Sequence, residues 1–323
     1  MELDHNMIHK LGDLLTPGLF DSLVKARLPY GKQDSIDFSE LGRDIFLEDP
    51  FGPVIKEEVW PVLIELSKVG LDDIPDLSAF LPHPDGPSYP EQCLGLQLLL
   101  DHCPRLLFRG IDHRWTYDYF NKLSERLGRT WLTLPPAQRP DSWERWHNAG
   151  AELDYWIAIR FWFGTPFVHS ELPESQKIAI AFTEETRFVV EQISGQTDPY
   201  RATRQHILLD LYGFPREYRK GPPQGGDVTR ESWTFWMGML MDVHKPIVDV
   251  FGRYPYLNAI CGRESTREEE RWAEDTDHFG EASQKVARRV KEDVKLGRWT
   301  PLGEDSGLNE VKRLRSQNQS TQP

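Results

Sequence analysis

The sequence predicts an all-α protein built from antiparallel helix pairs or a short solenoid, and three observations point there. Apolar residues recur at helical spacing along most of the 323-residue chain. Strand-like alternation is nearly missing. The periodic segments are punctuated as helices are, by proline at first-turn positions, glycine at ends and a Ser-x-x-Glu capping pattern.

Taken in order, "MIHKLGDLLTPGLFDSLVKARL" (7–28) is helical with a break at Pro17-Gly18. Residues 51–90 are rich in Pro and Asp and read as a long ordered loop or linker. "EQCLGLQLLLDHCPRLLFRG" (91–110) places Leu96, Leu99 and Leu100 at helical spacing, and "RWTYDYFNKLSERLG" (114–128) gives a second helix ending at Gly128. After a Pro-interrupted connection, "AELDYWIAIRFWFG" (151–164) is apolar and helix-compatible. "LPESQKIAIAFTEETRFVVEQIS" (172–194) opens on Pro173 and aligns Ile178, Ala181, Phe182, Val189 and Ile193 on one stripe. The Gly/Pro-rich stretch 213–230 reads as a loop, the best candidate for a lid. "ESWTFWMGMLMDVHKPIVDVF" (231–251) is helical and broken at Pro246; Ser265 and Glu268 form the expected capping pair of the next helix. A charged amphipathic helix (281–297) precedes a polar tail. Three regions follow: residues 1–90 with N-terminal helices and a Pro-rich connection, a helical core at 91–302, and a tail at 303–323.

Composition narrows the function classes. Eleven Trp and sixteen Phe are the aromatic usage of a folded chain with a sizeable core. A formal charge of −13 argues against a general DNA or RNA binder. Cys93, Cys103 and Cys261 are odd in number and widely spaced, so reduced thiols are expected rather than disulfides or a zinc site. The N-terminus carries no signal pattern and no apolar run reaches the ~20 residues of a membrane span, so the expectation is a cytoplasmic protein without membrane partners, metal or cofactor. Nucleotide-binding and serine-hydrolase motifs are also missing.

Chemistry concentrates in three blocks. In "LLDHCPRLLFRG", Asp101, Arg105 and Arg109 are spaced four apart on one helical face, which makes either an ion-pair ladder or a carboxylate-recognising pair of guanidiniums; Pro104 bends that face. In "FWFGTPFVHSELPESQ", His169 and Glu171 follow a Gly-Thr-Pro break just before a helix start, the arrangement of a general-base pair or of a helix cap. In "FGRYPYLNAICGREST", two turns at Gly252 and Gly262 hold Arg253, Asn258, Arg263 and Glu264 on short connections, as pocket wall or as ties between helix ends.

Together these three blocks resemble the signature segments of the domain-of-unknown-function family numbered 924, in the family's order and across residues 91–275. The resemblance implies a tetratricopeptide-like helical fold. It also implies one concavity lined by Asp101, Arg105, Arg109, His169, Glu171, Arg253, Asn258, Arg263 and Glu264. The sequence departs from the pattern at His102, where glutamine is usual, and at Leu257, where arginine is usual.

A pocket rich in carboxylates and guanidiniums is also similar to what the fungal arginine-containing cyclodipeptide synthases would need, enzymes that draw amino acids from aminoacyl-tRNA. Their DDxxE motif has its nearest counterpart in "DDIPD" (72–76), which puts Asp72 and Asp73 among the substrate-binding candidates. On this reading the chain is a small-molecule biosynthetic enzyme catalysing acyl transfer. An acidic residue, Glu171 or Asp72/Asp73, binds the incoming arginine guanidinium or accepts its α-amino proton. His169 serves as base, Asp101 is counted with His169 and Glu171 as catalytic, and the arginines hold a carboxylate, phosphate or tRNA end. "RATRQH", "PREYRKG" and "KVARRVK" are the segments available for tRNA. The competing reading is a helical-repeat scaffold that binds a peptide or small anion without chemistry.

Overall fold

The computed structural model describes residues 5–306. Every regular element among them is helical and none is a strand, as the periodicity predicts. The helices include α1 (His5–Leu14), α2 (Pro17–Arg27), α3 (Phe38–Phe46), α4 (Pro53–Ser67), α5 (Tyr89–Gln97), α6 (Cys103–Leu107), α7 (Asn121–Leu132), α8 (Leu153–His169), α9 (Pro173–Ser194), α10 (Gly213–Lys220), α11 (Arg230–Asp242), α12 (Lys245–Phe251), α13 (Asn258–Cys261), α14 (Arg267–Asp275) and α15 (Gln284–Lys295). No helix among the described residues is long and apolar enough to cross a membrane.

The organising element is α8. Only Asp154, Thr165 and His169 of its 17 residues escape burial, because α5, α7, α9 and α11 enclose it. A helix apolar all round is stable in water only when surrounded in this way. Its sequence contains Gly164-Thr165-Pro166, read above as a break, yet the helix runs through. Pro166 has no N–H to give the Trp162 carbonyl, and Thr165 Oγ1 donates to that carbonyl instead at 2.9 Å. The side-chain hydroxyl replaces the missing backbone donor.

Proline misleads elsewhere for the same reason. Residues 53–67 are helical, with Pro53 in the first turn, and 213–220 are helical, with Pro215 in the first turn, so the expected loops shrink to the segments around 68–88 and 221–229. The capping pair of α14 is Thr266 with Glu269, one residue beyond the predicted Ser265 and Glu268. The second helix of the core passes Gly128 and ends at Leu132; the missing Cβ admits the Phe167 ring of α8.

The N-terminal helices join the same core, α2 lying on α5 and α3 on α11. A Cβ on Gly95 of α5 would meet Phe20 backbone atoms at 2.6 Å, so the two helices touch main chain to main chain there. Gly95→Ala is therefore expected to destabilise the protein by about 1–3 kcal/mol, whereas Gly18→Ala, whose Cβ would make only an ordinary contact with Thr16 Oγ1 at 3.9 Å, is expected to be neutral or better. Urea midpoints of the two variants check this.

At the other end, the Asp305 and Ser306 amides donate to Asp112 Oδ2 at 3.1 and 2.7 Å, and Ser306 Oγ accepts from the Arg109 amide at 3.0 Å. The polar tail expected from 303 thus begins anchored to residues 109–112; from 307 onward it lies outside the described residues.

Candidate active site

Asp101 sits in a π-helical turn, Leu98–His102, between α5 and α6. Pro104 cannot donate to the Leu100 carbonyl, and the Cys103 amide reaches back to Leu98 O, so the turn widens where proline interrupts the ladder. This local expansion aims the Asp101 carboxylate across the core toward the end of α8. Asp101 Oδ1 lies 2.9 Å from His169 Nδ1 and 3.5 Å from Arg105 Nη2. The Asp101 side chain is 3% exposed, and those of Arg105 and His169 are both 24% exposed.

Burial alone would raise the Asp101 carboxyl, but His169 and Arg105 overcome it and hold the group well below the usual carboxylate range. His169 is pushed the other way: burial first, then the Arg105 charge, lower it against the opposing pull of Asp101. At neutral pH the pair is thus a carboxylate and a neutral imidazole. The Asp101 contact places the imidazole proton on Nδ1 and leaves Nε2 as the basic nitrogen. Among the described residues Nε2 has no hydrogen-bond partner.

The backbone beneath His169 is fixed from two sides. Gln176 Nε2 of α9 donates to Val168 O at 3.1 Å and Ser170 O at 2.6 Å, and Tyr254 Oη donates to Val168 O at 2.5 Å. Arg105 is held by Asn121 Oδ1 at 2.6 Å and lies over the Tyr117 ring at 5.7 Å, while its Nε is buried without a hydrogen-bond partner. His113 stacks on Tyr117, and its Nδ1 is also buried and unpartnered. Next to this pair His113, Tyr117, Ile260, Gly280 and Val286 line a cavity of about 320 Å³.

The remaining candidates fall into separate groups. Glu171 receives both Arg263 Nη1 and Nη2, at 2.5 and 2.9 Å, and the Tyr254 amide at 2.8 Å, which makes it a tie between the α8–α9 turn and the 251–266 connection. Arg253 grips Glu269 in the same forked way, at 2.6 and 2.7 Å, and Asn258 Nδ2 reaches the same carboxylate at 3.1 Å. Glu269 also closes the α14 capping box, so these three residues organise a helix start. Arg109 is exposed and donates to Phe108 O; Glu264 is 82% exposed and pairs with Lys291. Asp72 and Asp73 occupy an exposed turn and share no hydrogen bond or ion pair with the Asp101 group among the described residues.

Asn121, Thr165, Tyr117, His113, Gln176 and Tyr254 support the site and were not singled out from the sequence. Tyr254 lay inside the quoted 251–266 stretch, but nothing in its spacing distinguishes a hydroxyl clasping α8 from an ordinary core aromatic. The thiols of Cys93, Cys103 and Cys261 are raised by burial, which keeps them protonated and poor nucleophiles.

No curated protein and no solved structure matches the chain. The family model described as "Bacterial protein of unknown function (DUF924)" matches residues 81–277, a span holding Asp101, Arg105, His169, Glu171 and the whole 251–266 connection. With more than half of its length so matched, the chain belongs to the DUF924 family.

Proposed function

We propose that this protein is an enzyme of small-molecule biosynthesis catalysing acyl transfer, with His169 as general base, Asp101 as the residue that orients it and Arg105 as anchor for an anionic group of the substrate. The observation that carries the reading is the buried 2.9 Å contact between Asp101 Oδ1 and His169 Nδ1, which leaves Nε2 available. A carboxylate that fixes the tautomer and steadies the imidazolium formed on proton transfer is the recurrent support of a histidine base. The helix pairs around α8 and α9 are read as tetratricopeptide-like, as the family resemblance implies.

The specific reaction proposed is peptide-bond formation between aminoacyl groups that arrive already activated as esters, as in an arginine-containing cyclodipeptide synthase. His169 Nε2 takes the proton from an α-amino group as its nitrogen attacks the ester carbonyl. The ester C–O bond breaks, and the leaving alkoxide recovers a proton from the imidazolium. A second attack, by the amine of the dipeptidyl ester on its own ester carbonyl, closes the ring: the amine proton passes to His169 Nε2, the second ester C–O bond breaks, and the departing alkoxide takes that proton back.

The basic segments that would meet an aminoacyl-tRNA donor are largely neutralised by carboxylates. Arg201 and Arg204 pair with Glu184, Glu191 and Asp242, Arg216 with Asp210 and Glu217, and Arg289 with Glu304 and Asp305. Of the arginines and lysines in the three basic segments, Arg219, Lys285 and Arg288 remain exposed without a carboxylate within salt-bridge distance among the described residues.

The test compares extracts of a host expressing the chain, His169→Ala or Asp101→Asn, by mass spectrometry. An arginine-containing cyclic dipeptide made by the parent, and reduced by about 10²–10⁴-fold in His169→Ala, is the expected result. Ribonuclease treatment of a cell-free reaction then decides the donor. No new metabolite in any extract overturns the synthase reading and favours a binding scaffold, for which Arg105→Ala should abolish capture of small carboxylates.

A further inference from the structure

Next to the Asp101 site but making no hydrogen bond with it, α2, the π-helical turn and α8 bring three unusual side chains together. Arg27, the last residue of α2, is 2% exposed, and both its Nε and Nη2 are buried without a hydrogen-bond partner. Its guanidinium carbon lies 5.1 Å from the Trp162 ring centroid. The His102 ring lies 4.5 Å from the same ring and 5.7 Å from Phe51. Trp162 Nε1 and His102 Nε2 are also buried and unpartnered. Four buried nitrogens around one aromatic ring therefore lack protein acceptors.

Their chemistry is one-sided. The guanidinium and the indole only donate, and a neutral imidazole can present a proton at Nε2. A buried cation is ordinarily met by a carboxylate. Here the nearby carboxylates are engaged elsewhere, Asp49 by Lys56 at 2.6 Å and by the Phe51 amide at 3.0 Å, Asp44 by Arg43 at 3.7 Å. No ion pair is made by Arg27 among the described residues, and burial lowers its guanidinium to about 10, with Asp44, Tyr30 and Asp49 only partly opposing. His102 is likewise held neutral by burial and then by the Arg27 charge, despite the opposing pull of Asp101.

We propose that Arg27, His102 and Trp162 form a buried site for a small monovalent anion of halide or formate size. Positive charge and four buried nitrogens without acceptors select an anion, and the Phe51 and Trp162 rings packed on His102 favour a small one. A water molecule in the same position could accept these hydrogen bonds but would leave the guanidinium charge uncompensated. The site is separate from His169 and does not depend on the reaction proposed above. It would act on stability, tying the C-terminal end of α2 to the turn that carries Asp101.

The experiment is thermal unfolding of the full chain in sodium bromide against sodium gluconate at matched ionic strength. The expected result is a midpoint several degrees higher in bromide, since a ligand bound only by the folded state raises it. Arg27→Met should erase the difference, while Arg109→Met, at an exposed position, should keep it. Should Arg27→Met fail to fold, Trp162→Phe removes one donor and retains the ring, and is expected to reduce the bromide effect. A crystal grown in bromide should give an anomalous peak beside Arg27 Nε and Trp162 Nε1. Equal midpoints in the two salts, or ordinary water density at that position, overturns the proposal.

Discussion

Replacing Arg187 by methionine is expected to lower the stability of the protein by about 3–5 kcal/mol, the usual cost of orphaning a buried charge. The guanidinium is 1% exposed and joins two carboxylates that are 0% exposed, Asp198 through Nε at 2.6 Å and Asp242 through Nη2 at 2.8 Å. The two partners are not equally dependent on it. Asp242 keeps Arg204 at 3.0 Å and the Thr183 hydroxyl at 2.8 Å, whereas no other guanidinium or ammonium pairs with Asp198 among the described residues. Asp198→Asn in the Arg187→Met background should therefore recover a substantial part of the loss, and Asp242→Asn should recover less. Denaturant unfolding of these proteins, with the Asp198→Asn and Asp242→Asn single variants closing each cycle, measures this as two coupling energies. The site is built for this ion: a Cβ on Gly238 of α11 would meet the guanidinium at 2.9 Å. A loss below about 1 kcal/mol, the range of exposed pairs, would mean that the triad is open to solvent.

Mild acid is expected to act as strongly. His244 is lowered to about 3, by burial first and then by His169, and His113 to about 4, by burial and then by Arg109 and Arg105. Both bind their proton more readily in the unfolded chain, near pH 6.5. Their contribution to stability is therefore complete above that pH and is lost as the pH falls toward 4 and 3. At a limiting slope of 1.36 kcal/mol per unit for each group, reached only below the unfolded pKa, lowering the pH from 6.5 to 5 removes about 3 kcal/mol from the two together. His244→Asn, which retains a donor for the Leu240 carbonyl that His244 Nδ1 contacts at 2.9 Å, should flatten the acid limb. Urea midpoints at pH 5, 6 and 7 test it; a profile unchanged down to pH 5 would show that these rings charge freely in the fold.

The helical class was legible because periodicity reports which face is buried, and nearly every helix here has such a face. Boundaries were read less well wherever proline was taken only as a breaker: Pro53 and Pro215 stand in first turns, and Pro166 is accommodated by the hydroxyl before it. The candidate site divides along the same line. Asp101 and Arg105, four residues apart, share a face that spacing alone reveals. Their partner His169 is 68 positions away and Glu171 meets Arg263 across 92, distances at which no local pattern operates. The Asp101–His169 contact also depends on a widened turn whose only trace in the sequence is Pro104. Unpartnered atoms such as Arg27 Nε have no sequence signature at all.

The enclosure of α8 has a kinetic consequence. Its amide hydrogens sit beneath four other helices, so deuterium can reach them only through openings that dismantle most of the core. They should be among the slowest-exchanging amides in the molecule, and those of the 221–229 segment among the fastest. His169 stands at the end of that slow rod and inherits its immobility. The 251–266 connection, clasped to that rod by Tyr254 and tied to the α8–α9 turn through Glu171, is held still with it.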